Sequence, residues 1–306
     1  MKIWSLKLHR WVALTFALPL VFVLGTGLIL SFEPWLVVRA MTPGALSVAK
    51  VEALLNQHDP DGKARSIVYR SYDGTLTLSA GPGDGTVIDI ANGQELAGPS
   101  SLANLVVTAR RMHERLLINA GWLVIASSVV MLILAILGIL MGLPRFANTL
   151  SGWHKGMAWG VLPLIVLSPL TGLLLASNIT FMSAPPAAVS ARGAPLRLAD
   201  AVRIIGETHD LSTLIFIRPQ GGRLLARLVE GGEYRVYAVN GEGMTALPRN
   251  WPRLWHEGNF AGAWSALLNL IASVAMIGLL ITGPLIWLRR RLRLRARRVQ
   301  QLAPAE

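Results

Sequence analysis

Long apolar stretches alternate with polar segments along this chain. Four stretches contain no Asp, Glu, Lys or Arg and are long enough to cross a bilayer, which takes about 20 apolar residues. They are Trp11–Phe32, Leu116–Leu143, the first part of Gly156–Ala191, and Phe260–Leu288. The first is too long for the apolar core of a cleaved signal peptide, so we expect it to remain as an anchor. The pattern therefore predicts an α-helical integral membrane protein with four spans.

Lysine and arginine are concentrated at one side of the predicted spans. Some precede the first span, others lie in the link between the second and third, and the largest group follows the fourth. These residues are Lys2, Lys7, Arg10, Arg145, Lys155, Arg289, Arg290, Arg291, Arg293, Arg295, Arg297 and Arg298. Because basic residues favour the cytoplasmic side, we expect both termini inside and the polar segments 36–112 and 184–258 outside.

The chain contains an internal duplication. "LKLHRWVALTFALPLVFVLGTGLILSF" and "SGWHKGMAWGVLPLIVLSPLTGLLLAS" both begin with a histidine, pass a proline and reach a Thr-Gly pair, and "RRMHERLLINAGWLVI" resembles "RLWHEGNFAGAWSALL". Because both copies start on the same side, we expect parallel repeats related by a pseudo-twofold axis along the membrane normal. The predicted core is a four-helix bundle, in which cofactors bind between facing helices.

Each polar segment is expected to form a small α+β domain. "LSVAKVEALLNQHD" and "LRLADAVRIIGETHD" have the periodicity of amphipathic helices, and β-type runs separated by turn signals follow both. One helix on a small antiparallel sheet is the expectation for each segment. The glycine-rich run Gly81–Gly85 lacks the setting of a phosphate-binding loop, so it is interpreted as a hairpin tip.

The expected domain organisation alternates spans and outer domains. It comprises 1–35 (first span), 36–112 (first outer domain), 113–143 (second span), 144–154 (inner loop), 155–183 (third span), 184–258 (second outer domain), 259–288 (fourth span) and 289–306 (basic tail). Much of the net charge of +12 lies in the tail. Basic clusters beside a span bind anionic lipid headgroups, so no nucleic-acid partner is expected.

Four of the six histidines stand at the mouths of the four predicted spans: His9, His113, His154 and His256. Topology places His9 and His154 inside and His113 and His256 outside, and the pseudo-twofold axis makes the members of each pair face each other. Two imidazoles on opposite sides of a macrocycle are the axial ligands of six-coordinate haem b. The chain has no cysteine, so covalent haem attachment through Cys-x-x-Cys-His is excluded.

Two alternatives to haem remain open for these histidines. A histidine at a helix start also bonds interfacial carbonyls or water, and zinc is a rival metal. A zinc site here would be incomplete, since only Glu114 and Glu257 add outer ligands. Basic residues that could contact haem propionates are Arg10, Lys155, Arg110, Arg111 and Arg253.

The motifs "LHRW…LPL…GTGLIL", "MHERL…GW", "WHKGMAWGVLPL…LTGLLL" and "GLLITGPLIWLRRR" resemble the PepSY-associated transmembrane helix family. The resemblance covers the four spans, while the outer segments resemble PepSY modules weakly. It implies an iron-regulated protein of the bacterial inner membrane with two periplasmic domains. One branch of the family consists of periplasmic ferric-siderophore reductases, and the resemblance implies haem-ligand roles for His9, His113, His154 and His256.

The leading functional hypothesis is an electron conduit across the membrane. An inner haem on His9 and His154 takes an electron from a cytoplasmic donor, and an outer haem on His113 and His256 passes it to a periplasmic acceptor. The resemblance favours a ferric siderophore as acceptor, because Fe(II) is held less firmly by hard oxygen ligands. The alternatives are a non-enzymatic PepSY-type binding or regulatory protein and a haem-bearing membrane subunit of a separate oxidoreductase.

His58-Asp59 and His209-Asp210 occupy equivalent ends of the two predicted outer helices. Their histidines either complement the negative ends of those helices or contact a metal or substrate, and the sequence leaves both interpretations open.

Overall fold

The computed structural model describes residues 2–81, 83–116, 119–143, 147–183 and 196–302. Two compact units are present. One contains 1–31, 109–179 and 267–306, and we call it the membrane unit; the other contains 32–108 and 180–266, and we call it the sheet unit. Arg145, the start of the predicted second outer domain (184–195) and the end of the tail (303–306) lie outside the described residues.

The membrane unit is helical in the residues that the structure describes, and most of its helices are apolar. They are α1 (Lys2–Thr15), α2 (Ala17–Leu30), the end of α5 (Ser101–Arg115), α6 (Gly121–Leu140), α7 (Leu150–Gly160), α8 (Leu162–Ala176) and most of α11 (Ala263–Leu302). Within the described ranges, three stretches are long and apolar enough to cross a membrane: Ala17–Ala40, Gly121–Leu140 and Ala263–Arg298. The pair α7 and α8 makes a fourth if it is one span bent by 65°.

Prolines explain why the first and third predicted spans are broken rather than continuous. α1 ends at Thr15 and α2 begins at Ala17, while α7 ends at Gly160, ahead of Pro163 in α8. A proline has no N–H for the carbonyl four residues earlier, and its ring crowds that carbonyl. For Pro19 that carbonyl belongs to Thr15, the last residue of α1. Matching prolines therefore interrupt both helices at matching places, and the second interruption bends the pair α7 and α8 by 65°.

The membrane unit has a small buried core between its helices and many apolar side chains on its surface. Leu24, Ile165, Ala272 and Met276 form a buried cluster that joins α2, α8 and α11. Apolar side chains also point outward, as with Trp122 on α6, which is 70% exposed. Contiguous apolar surface of this kind marks contact with lipid or a partner rather than water, as expected of helices that cross a bilayer.

The described residues of the sheet unit form one eight-stranded antiparallel sheet in the order β4-β3-β2-β1-β5-β6-β7-β8. The strands are β1 (Ser66–Arg70), β2 (Thr75–Gly81), β3 (Asp84–Asp89), β4 (Glu95–Leu96), β5 (Leu214–Gln220), β6 (Arg223–Glu230), β7 (Glu233–Asn240) and β8 (Gly243–Ala246). The helices of this unit include α3 (Glu33–Ala40), α4 (Val48–His58), α9 (Leu198–Gly206) and α10 (Trp251–Glu257). β2 and β3 pair as a hairpin around the glycine-rich run, as predicted.

The two outer segments share this sheet, which differs from the expectation of one separate sheet for each. β1 pairs with β5, with Ile67 opposite Ile217 and Val68 opposite Phe216. Separate sheets would each present an unpaired edge of N–H and C=O groups, and pairing the two edges satisfies them. Ile67 and Ile217 are fully buried in one core that spans both halves.

The two predicted amphipathic helices, α4 and α9, cover one face of the sheet and pack against each other. Their apolar residues belong to the same core as the strands, for example Leu54 and Ile205. A Cβ added at Gly206 would lie 2.1 Å from Cγ2 of Val48. The close approach of the two helices at this point therefore requires glycine.

Asp210 also ties the two outer segments together. Its carboxylate accepts hydrogen bonds from the N–H of Gly44 at 2.9 Å and from the N–H of Ser212 at 2.8 Å. Burial on its own would raise the pKa of Asp210, but these hydrogen bonds outweigh it and lower the pKa below its usual range. The charged form of Asp210 is thus the one that holds the segments.

Candidate functional site

His113 lies in the last turn of α5, against α2. Its Nδ1 is 3.0 Å from the carbonyl oxygen of Val23 and 3.3 Å from Oγ1 of Thr26. The Thr26 hydroxyl donates its own proton to the carbonyl of Phe22 at 2.6 Å, so it can only accept from the imidazole. Both neighbours of Nδ1 are therefore acceptors, and Nδ1 carries the proton. The lone pair of the neutral ring is then on Nε2.

His154, on α7, is held in the same way by α11. Its Nδ1 lies 2.7 Å from Oγ1 of Thr282. The Thr282 hydroxyl donates to the carbonyl of Gly278 at 2.6 Å, so it too accepts from Nδ1. The lone pair is again on Nε2. An imidazole whose N–H is fixed by a neighbouring acceptor is the usual arrangement of a metal-binding histidine.

A glycine lies beside each of these two rings. A Cβ added at Gly27 would be 3.3 Å from Cε1 of His113, and one added at Gly283 would be 3.7 Å from Cε1 of His154. Each glycine directly follows the threonine that accepts from the ring. The Thr-Gly pairs thus provide both an acceptor for the imidazole and room beside it.

His9, on α1, has a buried ring nitrogen that is not satisfied. Within the part of the chain that the structure describes, its Nδ1 has no hydrogen-bond partner, although the ring contacts the backbone of Leu134. A buried polar atom left unpaired costs about 1–3 kcal/mol. His9 and His154 are close enough to interact electrostatically, so the membrane unit brings the predicted inner pair together. A ligand between these rings would use the unpaired nitrogen.

The predicted outer pair is divided between the two units. His113 belongs to the membrane unit and His256 to the sheet unit, in the last turn of α10. Asn250 caps the start of α10 by accepting from the N–H of Arg253, and Gly258 ends it with a φ of 65°. These caps fix the position of His256 on a short helix within the sheet unit.

Four of the basic residues predicted to contact haem propionates differ in their surroundings. Nε of Arg10 is buried and has no hydrogen-bond partner among the described residues. Lys155 and Arg111 are exposed, while Arg253 forms a 2.9 Å ion pair with Glu257. Arg10 is therefore the one of these four whose buried donor lacks a partner and fits a propionate oxygen.

The donor set suits a two-ligand haem iron better than a bare metal ion. No group of three or more His, Cys, Asp or Glu side chains that could hold an ion occurs among the residues described. Zinc needs about four such ligands, whereas haem iron needs two axial imidazoles because the macrocycle supplies the rest. The buried nitrogens of His9 and Arg10 are observations that fit haem, with the first at the iron and the second at a propionate.

His58 and His209 have partners inside the sheet unit. Nε2 of His58 lies 2.9 Å from the carbonyl oxygen of Gly93. His209 lies 3.1 Å from Oε1 of Glu230 through Nε2 and 2.7 Å from Oγ1 of Thr208 through Nδ1. Their contacts connect helix ends to the sheet and its turns.

The sequence that contains the apolar helices matches a known family. The profile of the PepSY-associated TM region matches residues 6–290, which is nearly the whole chain. The chain belongs to the PepSY-associated TM family. This confirms the family predicted from the span motifs, and it makes the chain a membrane protein that contacts the lipid bilayer. No curated protein matches this PepSY-associated chain.

The threonines of this PepSY-associated protein are the site residues that the sequence analysis missed. Thr26-Gly27, Thr171-Gly172 and Thr282-Gly283 recur in three apolar segments. That recurrence was a usable signal, but it gives no partner for the hydroxyl. Only the fold shows that Thr26 and Thr282 meet histidines from other helices.

Proposed function

We propose that this protein carries two b-type haems and moves electrons across the bacterial inner membrane. His9 and His154 bind the inner haem, and His113 and His256 bind the outer one. Electrons come from a cytoplasmic donor and leave to a periplasmic ferric siderophore, which releases its iron as Fe(II). Both termini lie in the cytoplasm, and the two polar segments lie in the periplasm.

The observation that supports this proposal is the shared surroundings of Nδ1 in His113 and His154, which favour the same tautomer in both rings. In both rings, Nδ1 lies within hydrogen-bond distance of a threonine hydroxyl whose proton is already donated to its own helix. Two histidines on different helices are thus prepared with Nε2 as the ligating nitrogen. A histidine that merely bonds interfacial water needs no such arrangement.

The chain's own residues supply binding, orientation and exclusion of water. Haem iron supplies one-electron redox chemistry when bound. Thr26 and Thr282 orient the imidazole rings of His113 and His154. Arg10 offers a charged donor for a haem propionate, and the apolar helices keep water away from both haem sites. Six-coordinate ligation leaves no open position for substrate, which favours electron transfer over oxygen chemistry.

The basic end of α11 supports the proposed orientation. Its arginines, Arg289 to Arg298, continue the helix beyond the apolar part and are exposed. Basic residues beside a span favour the cytoplasm and anionic headgroups. A reporter fused to the C-terminus and one inserted in the exposed β7–β8 turn should therefore report opposite sides of the membrane.

The test is a visible spectrum of the detergent-purified chain, oxidised and dithionite-reduced, with a haem count per chain. We expect two b-type haems, and the loss of one in each of His154→Ala and His113→Ala. His58→Ala is the matched control, because its ring bonds the carbonyl of Gly93 within the sheet unit. It should keep both haems.

A folded, colourless protein from cells supplied with haem would overturn the proposal. It would favour the non-enzymatic PepSY-type binding or regulatory protein. Haem without reduction of any ferric chelate would instead favour a membrane subunit of a separate oxidoreductase.

A further inference from the structure

A cavity of about 210 Å³ lies on the face of the sheet opposite α4 and α9. It is formed by β5, β6, β7, the segment after β8 and α10. Its apolar part includes Phe216, Leu225, Val236 and Leu247. Five arginines also line it: Arg218, Arg227, Arg235, Arg249 and Arg253.

The carboxylates near these arginines do not balance their charge. Glu233 pairs with Arg249 at 2.7 Å and 3.0 Å and with Arg235 at 3.3 Å. Glu257 pairs with Arg227 at 2.6 Å and with Arg253 at 2.9 Å. Among the described residues, the five guanidinium groups and these two carboxylates sum to a formal charge of +3. Such a concentration of one sign in a concave site attracts anions.

Arg227 has donor capacity that the protein does not use. The residue is 9% exposed, and its Nε is buried without a hydrogen-bond partner in the described part of the chain. Its guanidinium lies 4.9 Å from the centre of the Tyr234 ring. A buried, positioned guanidinium with a spare N–H matches the oxygen of a carboxylate, which forms short charge-assisted hydrogen bonds.

The arginine cluster belongs to one half of the sheet only. Alternation along the strands puts Val68 and Arg70 of β1 and Thr77 of β2 on the corresponding face of the first half. There Arg70 donates to the hydroxyl of Thr77 at 2.9 Å. The described strands of the first half have no arginine cluster on this face, so the cluster is specific to the second half of the sheet. Its ion pairs with Glu233 and Glu257 connect the strands to α10 and to the segment after β8, and the charge beyond those pairs is available to an anion.

We propose that this cavity binds a small polycarboxylate anion. The arginines take the carboxylates, and the apolar residues take the carbon skeleton. The volume is below the 300–1,000 Å³ or so of pockets for drug-sized ligands, so the cavity holds a small anion or one arm of a larger one. The carboxylates belong either to a free acid or to a ferric chelate, and only the second case rests on the proposed function.

The test is calorimetric titration of the full, detergent-purified chain with citrate at low ionic strength, without any redox step. Arg249→Gln should bind citrate about tenfold more weakly or worse, because it removes a charge-assisted contact. Glu233→Gln should bind citrate more tightly, because it releases Arg249 and Arg235. Arg65→Gln is the matched control, an exposed arginine of the same unit outside the cavity.

Two further probes identify the ligand. Inorganic phosphate should bind more weakly than citrate, since it offers no carbon skeleton to the apolar part. Tighter binding of redox-inert Ga(III)–citrate than of free citrate would identify the chelate as the source, and the reverse would identify the free acid.

The proposal is overturned if folded Arg249→Gln binds citrate as tightly as the wild-type chain, or if Arg65→Gln loses as much affinity. Weaker binding in Glu233→Gln would contradict the charge argument, and equal binding of phosphate would contradict the assignment to carboxylates. Because no haem is needed for these titrations, their failure is separate from failure of electron transfer.

Discussion

Thr282→Val tests whether the threonine hydroxyls prepare the histidines for iron. The substitution keeps the shape of the side chain and removes the acceptor that lies 2.7 Å from Nδ1 of His154. The ring then either leaves an N–H unpaired in apolar surroundings or changes tautomer, which removes the lone pair from Nε2. The carbonyl of Gly278 loses only a second donor, so the helix itself should persist.

The expected loss of haem affinity in Thr282→Val follows from the N–H of His154 that is left without an acceptor. A buried donor without a partner costs about 1–3 kcal/mol. Because the ring is only partly buried, about 1–2 kcal/mol is appropriate, which corresponds to a 5–30-fold weaker hold on haem. We expect faster transfer of the inner haem to an added acceptor protein, and an altered midpoint potential for that haem alone. Thr282→Ser keeps the hydroxyl and should restore both quantities.

Ser128→Ala is the control for loss of a hydroxyl in an apolar helix. Its hydroxyl donates to the carbonyl of Val124 at 3.2 Å, so its loss should leave both haems in place. If Thr282→Val releases haem no faster than Ser128→Ala and its potential is unchanged, the threonine does not orient the ligand. The tautomer of His154 would then not depend on the Thr282 hydroxyl.

Three further changes test other parts of the structure. Gly27→Val should displace the ring of His113, whose Cε1 lies 3.3 Å from the added Cβ, and lower the occupancy of the outer haem while the inner one stays. Gly206→Ala should lower the free energy of unfolding by about 1–3 kcal/mol through overpacking against Val48, seen as a lower denaturation midpoint. Asp210→Asn should make the stability of the sheet unit less sensitive to acid. The pKa of the wild-type carboxylate is lowered by folding. Its contribution to the free energy of unfolding is therefore complete above the usual pKa of 3.8 and is lost as the pH falls further. Equal acid sensitivity of wild type and Asp210→Asn, followed by circular dichroism, would contradict this assignment.

Local patterns predicted the elements better than their assembly. The apolar stretches and amphipathic periods gave α4, α9 and the membrane helices, because burial and helix period are properties of neighbouring residues. The pairing of β1 with β5 was not predictable, since nothing near Ile67 specifies a partner in the other half of the chain. The break after Thr15 was predictable, because Pro19 cannot donate a hydrogen bond to the carbonyl of Thr15. The angle of a bend was not, because it depends on how the helices pack.

The candidate site likewise has residues that the sequence predicted and residues that only the fold shows. The histidines stand out in the sequence because four of them occupy equivalent places at span mouths. The partners Thr26 and Thr282 do not, because a threonine in an apolar helix usually bonds its own backbone. These two do so as well, and the bond to their own helix is the reason that they can only accept from His113 and His154. The arginine cavity was missed because its residues come from three strands, a loop and a helix.

The joint between β1 and β5 has a consequence for how the protein is made. Strand β1 leaves the ribosome long before β5, with α6, α7 and α8 synthesised between them. At about 5–20 residues per second, the delay is on the order of ten seconds. Throughout that time the β1 edge is an open template for any extended chain. A polypeptide that stops after α6 would therefore be prone to aggregate, because it would expose the edge of β1 that β5 normally pairs with.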